Sequence, residues 1–288
     1  AGTLFWLDTI ETSSWQIRAR LRDPSGNLVF NNQDTRSDRG PTRLDATGVY
    51  TLETYGYYSS TTGSWQYQLL ELPNSSQSPT FNPLELGTVQ EGTLNPGYSS
   101  KVYSFEGETS QQVWFNGLSG DRVNVYLYDA TGRKLFSRSD YDRADNGPYT
   151  LAQDGVYHLV IDGNYGSQRS YQFQLLDLDS GSPLEFYRPI SGTLPNGGEN
   201  QLYHFQAEEG EKFFFELSDI AGTWRDRPDV RLYGPHYREL LRRTDFEERD
   251  SFDLTVPETG EYTFLVQGRG AGNAINYEFQ VYPQQESP

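Results

Sequence analysis

The residues best placed to do chemistry are carboxylates gathered in short loops. One stretch reads Ser139-Asp140-Tyr141-Asp142-Arg143-Ala144-Asp145-Asn146-Gly147. Counted from the strand before it, Asp34, Asp140 and Asp245 occupy equivalent places in three copies of a repeat. The first copy adds Asp38, and the third adds Glu247, Glu248 and Asp250. Calcium takes about six to eight oxygen ligands, and a carboxylate-rich loop curved by a glycine supplies several. The candidate calcium ligands are Asp140, Asp142 and Asp145, with Asp34 and Asp245 in the sister loops. The spacing is not that of an EF-hand. A solvated turn, with Asp bonding its own backbone, accounts for the same residues. Arg143 and Arg249 weigh against a strong cation site.

A second group is aromatic. Tyr57, Tyr58 and Trp65 cluster with Tyr55 before the last strand of the first copy. Exposed rings stack on sugars or anchor a protein partner, whereas covered rings are ordinary edge packing. Trp224 and Arg225 carry the same two readings. His158, His204 and His236 lack metal-ligand spacing, and the first two are expected on strand faces that point away from the core. No Gly-x-Ser-x-Gly elbow, P-loop or dinucleotide fingerprint is present, which points away from an enzyme.

These groups must be held by strands. Tyr numbers 21, Phe 16, Gly 28 and Pro 15 among 288 residues, and amphipathic periodicity is confined to a doubtful stretch at 237–243. The sequence also repeats. Gly92-Thr93-Leu94 returns as Gly192-Thr193-Leu194, followed by Tyr103-Ser104-Phe105 and Tyr203-His204-Phe205. Ala19-Arg20-Leu21, Val125-Tyr126-Leu127 and Val230-Arg231-Leu232 form a strand in three copies. The first two of these run into Asp-x-x-Gly turns, at Asp23–Gly26 and Asp129–Gly132. Gly48-Val49-Tyr50, Gly155-Val156-Tyr157 and Gly260-Glu261-Tyr262 place a tyrosine at each strand entry, suited to a tyrosine corner. Tyr67-Gln68-Leu69, Tyr171-Gln172-Phe173 and Tyr277-Glu278-Phe279 close the copies. In the first copy, Leu4-Phe5-Trp6 aligns with Val113-Trp114-Phe115, and nothing precedes it to match Gly-Thr-Leu or Tyr-x-Phe.

The fold class is therefore all-β, a tandem of jelly-roll or Greek-key-like β-sandwich domains. An incomplete repeat lacking its first strands spans 1–73, and full repeats span 74–178 and 179–288. In order, the motifs resemble the bacterial pre-peptidase C-terminal (PPC) domain. The whole pattern lies in 87–176, nearly all of it in 187–282, and the latter two-thirds in 1–72. The resemblance implies a jelly-roll-like sandwich, non-catalytic by itself, appended to secreted proteases or strung along surface proteins. Some of its members bind calcium, collagen or polysaccharide. The third copy departs from the pattern at Gly234-Pro235-His236-Tyr237.

The net charge of −17 repels phosphate backbones and makes nucleic acid an unexpected partner. The chain has no cysteine, and so no disulfide or thiolate site. It has no apolar run of the roughly 18 residues a spanning helix needs, so membrane insertion is not expected. The expected role is a structural or adhesive repeat module of a secreted or cell-surface protein. Its expected partners are other domains of the parent protein or neighbouring copies, with a fibre formed by strand donation to the incomplete first unit. The alternative is a calcium-dependent module that binds polysaccharide or matrix protein.

Overall fold

The computed structural model describes residues 1–78, 80–141, 145–164, 166–221, 227–244, 250–268 and 273–284, without the side chains of residues 140, 141 and 218–221. Strands follow one another through the described residues. Unit one contains β1 (Thr3–Thr12), β2 (Ile17–Arg22), β3 (Leu28–Asp34), β4 (Arg39–Leu44), β5 (Thr51–Gly56) and β6 (Trp65–Leu72). Unit two contains β7 (Gln90–Leu94), β8 (Ser100–Gly107), β9 (Gln112–Gly120), β10 (Val123–Tyr128), β11 (Lys134–Tyr141), β12 (Asn146–Thr150), β13 (Gly155–Gly163) and β14 (Arg169–Asp177). Unit three contains β15 (Ser182–Pro183), β16 (Ile190–Leu194), β17 (Asn200–Ala207), β18 (Lys212–Ala221), β19 (Asp229–Tyr233), β20 (Glu239–Arg243), β21 (Ser251–Thr255), β22 (Gly260–Gln267) and β23 (Ile275–Gln284). The stretch at 237–243 is mostly strand, not helix, because β20 pairs with β19, Leu241 facing Leu232.

Each unit is a sandwich of two sheets. Unit two has the orders β11-β10-β13-β8 and β12-β9-β14-β7, and unit three has β15-β17-β22-β19-β20 and β16-β23-β18-β21. Unit one has only β3-β2-β5 and β4-β1-β6. It lacks the counterparts of β7 and β8, which in unit two cover β14 and β13. Alternating apolar residues from both sheets fill each core. Val113, Phe115, Val125, Leu127, Leu159 and Phe173 are central in unit two, and Phe213, Phe215, Leu232, Phe264 and Phe279 in unit three. Unit one has a smaller core of Phe5, Leu7, Ala19, Leu21 and Phe30.

The sequence motifs have visible structural duties. The three corner tyrosines each donate to the carbonyl four residues back: Tyr50 to Ala46 at 3.0 Å, Tyr157 to Gln153 at 2.8 Å and Tyr262 to Glu258 at 2.6 Å. In the Asp-x-x-Gly turns, Gly26 and Gly132 stand at φ +87° and +86°, where a side chain would be strained. The glycine of Gly-Thr-Leu serves close approach instead. Gly92 faces Tyr171 and Gly192 faces Tyr277, and a Cβ at either would collide with the tyrosine ring and hydroxyl.

Pairing corrects two alignments within unit one. Cores contain Phe5 and Leu7 in unit one and Val113 and Phe115 in unit two, so Phe5-Trp6-Leu7, not Leu4-Phe5-Trp6, matches Val113-Trp114-Phe115. Leu7 pairs with Leu69 and Phe115 with Leu175. Trp65-Gln66-Tyr67 therefore stands where Tyr171-Gln172-Phe173 stands in unit two. The closing strand is displaced by two residues from the match on tyrosine alone.

Candidate functional site: two junctions and an open edge

Alternation gives each of these strands a second face, which is used between units. Leu4, Trp6 and Leu72 of unit one pack on Tyr128 and Val160 of unit two. Trp114, Leu176 and Leu178 of unit two pack on Leu202, Tyr233 and Leu265 of unit three. Trp6 and Trp114 are equivalent, as are Tyr128 and Tyr233, and Val160 and Leu265. One joint has been built twice.

A polar cluster lies beside each apolar seam, again at equivalent positions. In the first, Asp8, Asp38 and Asp162 bring carboxylate oxygens within 4.8 Å of one another. Ser100 holds Asp8 through its N–H at 2.8 Å and its hydroxyl at 3.0 Å. Gln68 donates to Asp8 at 2.6 Å, the Trp6 indole N–H to Asp38 at 3.1 Å, and Asn124 to Asp162 at 3.0 Å. Burial pushes all three carboxyls above the usual range, and the neighbouring Asp162 and Asp8 charges push Asp38 further. Burial and mutual repulsion both disfavour the ionisation of all three carboxyls together. Arg36, Lys134, Tyr98 and Tyr126 line the open groove of about 430 Å3 beside them.

In the second cluster, Asn116 replaces Asp8, Gln267 replaces Asp162, Asp229 replaces Asn124 and Asn200 replaces Ser100. Asp145 keeps the place of Asp38. Arg231 stands where the first junction has Tyr126. It lies over the Trp114 ring at 4.9 Å and donates to Gln267 at 2.9 Å. Asp145 accepts from the Gly117 N–H at 3.1 Å and from Gln267. Loss of solvent pushes it up to about 7, against the pull of the Gly117 N–H and Arg231.

The expected calcium ligands are thus distributed differently from the sequence pattern. Asp145 faces a junction. Asp34 accepts from Arg36 at 2.7 Å and pairs with Arg18 at 3.0 Å, and these partners hold it well below the usual carboxylate range. Asp142, Asp245 and the side chain of Asp140 lie outside the described residues, as do Glu247, Glu248, Trp224 and Arg225. The sequence reading missed Asp8 and Asp162, whose only signal is a carboxylate on the outward face of an apolar strand. His158 does point away from its core but is fully buried, against the expectation of a surface histidine. It bonds Ser104 at 3.0 Å, and burial pushes it down to about 4.

Tyr57 and Tyr58 are half exposed and sit edge to face, 4.9 Å apart. Trp15, which the sequence reading passed over, completes the cluster at 6.3 Å and 6.4 Å. Trp65 is separate. It stacks on Tyr67 at 4.4 Å, and its indole N–H is buried with no acceptor. The hydroxyl of the equivalent Tyr171 meets Tyr103 on β8 at 2.9 Å. Unit one has no such strand. Tyr67 and Leu69 are accordingly 41% and 55% exposed, whereas Phe173 and Leu175 are buried.

No protein-family model and no curated protein matches the chain. Among solved structures, the chain is similar to PliG of Aeromonas hydrophila, a periplasmic inhibitor of g-type lysozyme, with 15% identity, 36% of this chain and 96% of that one covered, and a TM-score of 0.29. It is similar to the CUB1-EGF-CUB2 region of human MASP-1/3, with 10% identity, coverage of 67% and 99%, and a TM-score of 0.25. It is also similar to tandem CBM51 modules of a Streptococcus pneumoniae family 98 glycoside hydrolase, with 8% identity, coverage of 63% and 81%, and a TM-score of 0.21. Among the described residues, no helix is long and apolar enough to cross a membrane.

Proposed function

We propose that this chain is a non-catalytic structural module of a bacterial secreted or surface protein, similar to PPC repeats, whose first unit is completed by strands from elsewhere in the parent protein or from a neighbouring copy. One observation carries the reading. Unit one presents β5 and β6 as adjacent open edges over a half-covered core, at the positions where units two and three are closed by two further strands. Exposed, unpaired edges of this kind invite pairing with another chain. The junctions supply the complementary property, since buried seams fix each unit to the next. Light scattering after size exclusion, in calcium and then in chelator, tests the reading. Concentration-dependent oligomers are expected. A monomer at all concentrations would contradict completion by a neighbouring copy, and dissociation in chelator would make calcium part of the assembly.

A second reading rests on the Trp15–Tyr57–Tyr58 cluster. Three adjoining exposed rings offer ring faces to a polysaccharide or an anchor for a matrix protein. A glycan and matrix-protein panel with the Tyr57→Ala/Tyr58→Ala variant tests it. Binding that the variant abolishes would favour this reading, and an empty panel would remove it.

A further inference from the structure

Three residues that distinguish the first junction from the second meet in one groove. Tyr98 stands where unit three has Gly198, counted from the shared Leu94 and Leu194. Tyr126 stands where unit three has Arg231. Lys134, which faces Tyr128, stands where unit three has Glu239, which faces Tyr233. At the second junction these last two positions satisfy each other, since Arg231 donates to Glu239 at 3.1 Å. At the first, Lys134 is exposed and has no carboxylate partner among the described residues; its ammonium lies 5.4 Å from the centre of the Tyr126 ring. Tyr98 is 43% exposed, with its ring set against Gly166, where a Cβ would come within 3.0 Å of it.

All three line the groove of about 430 Å3 between units one and two, together with Asn124, Asp38 and Asp162 and the buried Trp6 and Tyr128. Its size suits a small ligand, and the seam between two units is a common place for such a site. A tyrosine ring packs on the C–H face of a sugar. Amide and carboxyl groups match hydroxyls, which both donate and accept. An unpaired ammonium adds a charge-assisted bond to an anion, whereas Arg36 at the same groove is already engaged by Asp34. We infer that this groove binds an acidic saccharide, with Tyr98 against the sugar ring, Asn124 and Asp162 on its hydroxyls and Lys134 on its carboxylate. The carboxylate is held at the exposed lysine, not beside the buried acids. The site requires neither the open edges of unit one nor the Trp15–Tyr57–Tyr58 cluster.

The test titrates the full chain with trigalacturonate and with its neutral counterpart galactotriose by isothermal titration calorimetry. Saturable binding of the acidic sugar is expected, about tenfold tighter than that of the neutral one and weakening as salt is added. Tyr98→Gly and Lys134→Glu, which copy the second junction, should each weaken it about tenfold, and Lys134→Arg should retain it. Both side chains are exposed, so thermal midpoints should stay unchanged and show that each variant is folded. Equal binding of the two sugars, or binding that Tyr98→Gly and Lys134→Glu leave unchanged, would overturn the inference. So would no binding of trigalacturonate.

Discussion

The two junctions share one geometry and solve the same electrostatic problem in opposite ways. At the second, Arg231 places a permanent cation beside Asp145 and Asp229, and amides replace the remaining acids. At the first, Tyr126 takes the place of Arg231, and Asp8, Asp38 and Asp162 bring three carboxyls together, each raised by burial. A buried charge is costly unless paired or neutralised. The apolar seam decides where units meet, and the polar cluster decides under what conditions they stay together.

The largest effects should come from what the junctions share. Trp6→Ala and Trp114→Ala each remove a ring buried between units, and each should cost about 3–5 kcal/mol in chemical denaturation. A cost below about 1 kcal/mol at either would break the equivalence. Arg231→Ala comes next. It strips the second cluster of its cation and should cost about 2–3 kcal/mol, whereas Tyr126→Phe at the matching position should cost much less.

The pH response should separate the junctions. The carboxyls of Asp8, Asp38 and Asp162 are raised above their unfolded values. Their contribution is therefore complete below the ordinary carboxylate range and is lost as pH rises through the raised values. Denaturation midpoints should fall as pH rises into the alkaline range, and Asp8→Asn, which copies Asn116, should recover roughly 1 kcal/mol at pH 8. Asp145, raised to about 7, gives the second junction the same sign of response, ending near neutrality. An alkaline loss that Asp8→Asn leaves unchanged would place its cause elsewhere. The smallest effect is expected from Ser100→Ala, about 1 kcal/mol from the lost hydroxyl bond to Asp8.

Much of the fold was legible because tight turns, corner tyrosines and alternation are local. Asp23 with Gly26, and Tyr157 with Gln153, are read within five residues of sequence. The register of unit one was not. Trp65 takes the place of a tyrosine, and matching Tyr67 by residue type displaced the strand by two. The junctions were illegible for a different reason. Asp8 and Asp162 lie 154 positions apart, and nothing local marks an outward-facing aspartate as one that another unit will cover. The acidic loops were conspicuous in sequence, yet Asp34 and Asp145 there are engaged by an arginine pair and by a neighbouring unit.

The central claim, that β5 and β6 are open sheet edges in this chain, is tested most directly by hydrogen exchange on the dilute monomeric chain. The amides of β5 and β6 that point away from β2 and β1 should exchange as unprotected groups while those of β13 and β14 stay protected, and raising the concentration until the chain assembles should protect the former. Full protection of the β5 and β6 edges in the dilute monomer would contradict the account.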